Sequence, residues 1–188
     1  DGIRMMFGVG AVESNDMWAF APSAASPAHS LWDSKVDRCS REPNLWVNIH
    51  GERVGNEKES AISSGAGYCL RQPEGTFWNV FDAAAVRRME EGPVFGASRW
   101  VLPIEGDNAP IDGASEALDE GVANGECFKA DSLEELCSQT GIDYSGLQAT
   151  VKHYNELCEA GEDTDLFKDS TMLFGIGEAP FYAIEMTA

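Results

Sequence analysis

The residues of this chain best suited to redox, metal or anion chemistry are five cysteines, three histidines and eight arginines, and their spacing sorts them. Cys39, Cys69, Cys127, Cys137 and Cys158 are odd in number and widely spread. With no Cys-x-x-Cys pair among them, neither a zinc ribbon nor a thioredoxin-like couple is indicated. They read as reduced thiols, mostly buried as small apolar side chains. His29, His50 and His153 stand at unrelated spacings, so no metal site is expected. The net charge of −19 opposes an anionic substrate unless arginines cluster locally against it. It also repels a phosphate backbone, so nucleic acid is not expected as a partner. No G-x-G-x-x-G follows a strand, and the fingerprint that seats a dinucleotide is absent.

The elements that would position such residues follow from periodicity and punctuation. At 188 residues and 43% hydrophobic, the chain suits one domain with a real core. No apolar run approaches the roughly 18 residues needed to span a bilayer. In Asn44–Glu57, Leu45, Val47 and Ile49 alternate with Trp46 and Asn48. His50-Gly51 makes the turn, and Arg53 to Asn56 reads as the returning strand of a hairpin. Thr76–Asp82 is a strand by its aromatic and β-branched content, and Asp82 then caps a helix over Ala83–Glu91 that Gly92 stops. Loops with one short strand near Trp100–Leu102 are expected over Pro93–Gly113, then a short acidic helix over Ser115–Gly121 and a strand at Cys127–Lys129. Ser132 and Glu135 form a capping box for a helix ended by Gly141. A second helix runs from about Tyr144 to Ala160, with Leu147, Val151, Tyr154 and Cys158 on one face and Gly161 at its end. At the start of the chain, 1–15 places Ile3, Met6, Val9 and Gly10 on one helical face. The fold class is α+β: a small antiparallel sheet or hairpin packed by a C-terminal helical hairpin.

Four phrases also carry a family resemblance. Asn48, Gly51, Arg53, Asn56 and Glu57 resemble the "VNxxGxRFVNE" hairpin of the fumarate reductase/succinate dehydrogenase flavoproteins, with Val54 and Gly55 where Phe-Val is usual. Ala130–Phe167 closely resembles that family's "ADTxEELAxxxGxDxxxLxxTVxxYNxxCxxGxDxDF", and Pro180–Ala188 its "PFYAIEVTP". The opening "DGIRM…GA" resembles the tail of its "TGDGxxMAxxxGA". The resemblance implies a capping domain, which in that family closes over a flavin held on a separate Rossmann-like domain. Residues 1–188 are then expected to be a single excised cap, with 1–15 and 180–188 as junctions to the FAD-binding domain.

The same resemblance implies that the parent is an FAD-dependent oxidoreductase. Its substrate would be a small unsaturated acid or enone whose C=C bond is conjugated to a carboxylate or carbonyl. The isolated fragment should be inactive and bind no FAD. Asp1 matches a residue beside the flavin, and is otherwise an ordinary helix start. His29 lies where a cap histidine can hold a substrate carboxylate, or is a surface loop histidine. Arg41, with Asp37 and Arg38, stands where fumarate reductases carry a Glu and an Arg of a proton path, or belongs to a solvated charge cluster. The family's proton-donating arginine falls eight positions past Arg53, at Ala61, which can donate no proton. A register shift would pass the role to Arg71, Tyr68 or Lys58, in that order. Arg53 and Glu57 are expected to tie the hairpin to neighbouring loops. One alternative is the cap of a flavoenzyme resembling ketosteroid Δ1-dehydrogenases, working on an apolar substrate with tyrosines such as Tyr68, Tyr144, Tyr154 and Tyr182. Another is a binding module without chemistry. The expected compartment is the cytoplasm or the cell envelope.

Overall fold

The strands β1 (Leu45–Val47), β2 (Thr76–Asp82), β3 (Phe128–Ala130) and β4 (Phe181–Thr187) form one antiparallel sheet in the order β1-β2-β4-β3. The computed structural model from which they are taken describes residues 2–12, 34–58, 65–95 and 109–187. The sequence-expected strand near Trp100–Leu102 lies outside the described residues, as do Asp1, His29 and Ala61.

Side-chain alternation explains why the two central strands are apolar on both faces. Phe77 and Phe81 of β2 join Tyr182, Ile184 and Met186 of β4 in one core. Trp78 and Val80 of β2 join Ala183 of β4 in the other. Helices cover each face. The first layer is α2 (Lys35–Ser40), α3 (Gly65–Leu70), α4 (Ala83–Glu91) and α5 (Ala114–Asn124). The second is the helical hairpin of α6 (Leu133–Thr140) and α7 (Tyr144–Ala160), which places Leu136, Leu147, Val151 and Tyr154 on the sheet.

The local punctuation read from the sequence is largely as built. The Asp82 side chain accepts from the Ala85 amide and opens α4, and Gly92 closes it. Ser132 accepts from the Glu135 amide at α6, while the Glu135 carboxylate reaches back to the Asp131 amide. The acidic helix α5 runs three residues beyond its expected end, and β3 is shifted one residue along.

Two segments differ from expectation. The hairpin has no full returning strand: the pairing is the Val47–Arg53 bridge, flanked by bonds from the Asn48 amide to the Glu52 carbonyl and from the Val54 amide to the Trp46 carbonyl. Arg53 instead turns inward to Glu57, whose carboxylate faces the Trp46 amide at 3.4 Å, and the chain coils over these charges. The opening helix, α1, covers only Gly2–Gly8. Met5, Met6, Phe7, Val9 and Val12 in and beside it are exposed. The C-terminal segment provides β4, which pairs on both sides within the sheet.

The turn of the hairpin is seated on the other end of the molecule. The Asn48 side chain accepts from the amides of His50 and Glu52, and Gly51 adopts φ 75°. The Ile49 carbonyl accepts from the Asp143 amide at 2.9 Å. A Cβ on Gly51 would overlap the backbone of Leu147 and Gly146, and one on Gly146 would overlap the His50 carbonyl. Hairpin turn and α7 therefore meet backbone to backbone, which requires glycine on both sides.

Candidate functional site

A buried charge cluster anchors the base of the hairpin. Arg53 makes a bidentate pair with Glu57 at 2.8 and 2.7 Å, and its Nη2 also reaches Asp163 at 2.8 Å. Lys168 donates to the Tyr154 hydroxyl at 2.7 Å and to the Pro43 carbonyl at 2.6 Å, and lies 3.3 Å from Glu57. Glu57, Asp163 and Lys168 are almost fully buried. Two cations thus face two carboxylates, and the cluster balances its own charge.

The electrostatics follow from that enclosure. Burial alone would raise the Asp163 carboxyl, but the Arg53 hydrogen bond and the amides of Leu166 and Lys168 outweigh it and hold it down at about 2. Burial pulls the Lys168 ammonium below its ordinary value, with Glu57 opposing. Desolvation pushes the Tyr154 phenol up, so it stays a neutral acceptor for Lys168. The cluster ties Arg53 and Glu57 of the hairpin to Asp163 and Lys168 far along the chain. Its partners Asp163 and Lys168 went unread in the sequence, because they lie some 110 residues along the chain from Arg53.

The sequence-derived candidates divide by surroundings. Arg41 caps α2 and is buried, with its guanidinium fork on Asp37 at 3.0 and 3.2 Å. Lys58 is exposed and lies 3.4 Å from Asp169. Tyr68 of α3 is half-buried and sits edge-on to Trp46 with ring centroids 5.7 Å apart. Arg71 follows α3 directly and is exposed, and its guanidinium has no hydrogen-bond or ion-pair partner among the described residues. The fold therefore brings Tyr68 and Arg71 together on one short element beside the hairpin. Beyond Arg71, the Gln72 side chain accepts from Asn48 at 3.4 Å and joins this element to the turn. Of the hairpin-side cations Arg41, Arg53, Lys58 and Arg71, only the last has no carboxylate partner among the described residues.

No group of three or more His, Cys, Asp or Glu side chains suited to a metal occurs among the described residues. All five thiols are unpaired, and burial pushes those of Cys69 and Cys127 up to about 12. The described residues do not fit a dinucleotide cofactor either. Their sheet is wholly antiparallel, without the parallel strand–turn–helix unit whose N-terminus receives a pyrophosphate. No described helix is long and apolar enough to cross a membrane.

No family model matches the chain. Among curated relatives, the vinyl phenol reductase of Lactiplantibacillus plantarum is 25% identical over 99% of this chain and 38% of its own length. The cytochrome-type fumarate reductase of Shewanella frigidimarina is 39% identical over 70 residues, which are 37% of this chain and 12% of that protein. The chain thus spans well under half the length of these relatives. Among solved structures, the open conformation of a flavocytochrome c3 fumarate reductase matches with TM-score 0.61 at 19% identity, over 99% of this chain and 28% of that one. A 3-ketosteroid Δ1-dehydrogenase from Sterolibacterium denitrificans matches with TM-score 0.59 at 20% identity, over all of this chain and 34% of that one. A solution structure of a fumarate reductase flavoprotein subunit from Lactobacillus plantarum matches with TM-score 0.56 at 22% identity, over 86% of this chain and 94% of that one. In sequence along its length and in the fold of its small antiparallel sheet between helices, the chain is similar to part of the fumarate reductase-like flavoproteins.

Proposed function

We propose that this chain is the capping domain of an FAD-dependent oxidoreductase that reduces a C=C bond conjugated to a carboxylate or carbonyl. The observation that carries the reading is the likeness to vinyl phenol reductase over 99% of the chain, joined to the fold shared with flavocytochrome c3. The flavin would be held by an FAD-binding domain of the same protein, since the described residues offer no seat for it. The exposed apolar side chains around α1 are the surface proposed to meet that domain, and Asp1 the residue proposed to approach the cofactor.

The part of this chain in such a reaction is to cover the substrate, exclude water and deliver a proton. Arg71 is the first candidate for donor because its guanidinium is exposed and has no carboxylate partner among the described residues. Tyr68 and Lys58 follow. His29 and Arg41 are the residues proposed to hold the substrate. Arg41 is already neutralised by Asp37, so it would act as one half of a pair.

The reading is tested with the full-length flavoprotein and a chemically reduced dye. Oxidation of the dye on addition of an unsaturated acid or enone is expected, with none from residues 1–188 alone. A parent that holds flavin but is inert towards every unsaturated acid and enone overturns the reading. The fold shared with the 3-ketosteroid Δ1-dehydrogenase supports a second one, a cap closing over an apolar ring system. Dehydrogenation of a steroid ketone with no reduction of unsaturated acids would favour it.

A further inference from the structure

Gly55 is buried, yet its backbone does not require glycine, since it lies outside the left-handed region. Space does require it. A Cβ built there would overlap Cε1, Cδ1 and Cζ of the Tyr68 ring. The ring thus occupies the volume that a side chain at 55 would take, and it rests edge-on against Trp46, itself 4.8 Å from Phe77 between ring centroids.

The element carrying Tyr68 cannot hold its own position. α3 has six residues, two of them glycine, whereas an isolated helix needs on the order of 12–15 residues to be even marginal. Its anchors are the Tyr68 ring, the Cys69 thiol, which donates to the Met186 carbonyl at 3.5 Å, and Gln72 on Asn48. Arg71 lies between these anchors, and its amide donates to the Tyr68 carbonyl at 3.3 Å.

We propose that Tyr68 is a positioning residue whose ring, seated in the space left by Gly55, fixes α3 against the hairpin and so sets where Arg71 presents its guanidinium. The consequence for turnover rests on the capping-domain reading above. The positional part rests on the contacts alone.

The experiment is a double-mutant cycle of Gly55→Val and Tyr68→Ala, read in two ways. In the nitrogen-15-labelled 188-residue chain, Gly55→Val is expected to shift the Arg71 amide and Nε–H resonances while those of α6 and α7 stay in place. In the Tyr68→Ala background the same substitution should leave the Arg71 signals where Tyr68→Ala alone put them. Gly55→Ala makes the same overlap with less bulk, and serves if the valine variant does not fold. In the full-length flavoprotein, Gly55→Val should lower kcat for the unsaturated substrate about tenfold or more at unchanged flavin content, with no further loss when added to Tyr68→Ala. Arg71 signals that ignore Gly55→Val, or that it shifts equally in both backgrounds, overturn the inference. Absence of any alkene reduction by the wild-type parent removes the functional reading, and the resonance cycle still decides the positional one.

Discussion

Arg53 and Arg71, eighteen residues apart in one stretch of chain, have opposite fates. Arg53 is locked between Glu57 and Asp163 under Tyr154, with the guanidinium 5.0 Å from the ring centroid. Removing one partner of such a buried pair strands the other charge. Asp163→Ala should therefore cost on the order of 3 kcal/mol, measured by denaturant unfolding. The Asp163 carboxyl lies at about 2 in the folded chain against an unfolded value of about 3.8. Its contribution is thus present above about pH 4 and lost as pH falls towards 2, with a share on the order of 2 kcal/mol. Asp163→Asn should flatten that part of the stability–pH curve. Arg71 has no such ties, so Arg71→Gln should change stability by no more than about 0.5 kcal/mol. In the full-length protein the same change should slow turnover on the order of 100-fold, the scale of losing a general acid. Wild-type turnover in Arg71→Gln would pass the role to Tyr68 or Lys58.

Elements here are held by what their ends do. Asp82 closes β2 and opens α4: one carboxylate oxygen accepts from Ala85, the other from the amides of Gly177 and Glu178 at 2.8 and 2.9 Å. Asp82→Ala leaves one buried amide and two part-buried ones without their acceptor and should cost on the order of 2 kcal/mol by thermal or denaturant unfolding. The hairpin–α7 contact is less forgiving, because both glycines abut backbone rather than flexible side chains. Gly51→Ala should destabilise by more than about 2 kcal/mol, adding the strain of a positive φ to the overlap. Features of this scale were legible wherever the signal was local. Ser132, Glu135, Gly141 and Gly161 marked the helical hairpin, and α7 runs from Tyr144 to Ala160 as its periodicity indicated. The returning arm of the hairpin was only partly legible: pairing stops after Val54, where the Arg53 side chain is held by Glu57 and by Asp163 far along the chain. Nor was the seat of Tyr68, which depends on a side chain that Gly55 does not have.

In the whole molecule, two helical layers share one sheet, and β2 and β4 belong to both cores. Phe81, fully buried and stacked on Tyr182 with ring centroids 5.3 Å apart, packs where those strands meet the first layer. Phe81→Ala should lose about 3–5 kcal/mol, the usual cost of a large core cavity. The central place of β4 could not be read from its sequence, since pairing with residues 76–82 is a contact across about a hundred residues. The family phrases reached further than periodicity at this scale: they pointed to a capping fold that alternation alone left as an unspecified α+β domain. The site was the least legible part. Two of its candidates, Asp1 and His29, lie outside the described residues, and Lys58 faces Asp169, more than a hundred residues along the chain, whereas the Arg41–Asp37 pair has the ordinary i,i+4 helical spacing. The most direct measurement is reoxidation of the chemically reduced full-length flavoprotein by unsaturated acids and enones, with residues 1–188 alone assayed beside it for flavin and turnover. Reoxidation by at least one such compound in the parent, with neither flavin nor turnover in the short chain, is the predicted result. A flavin held tightly by residues 1–188 on their own would contradict it.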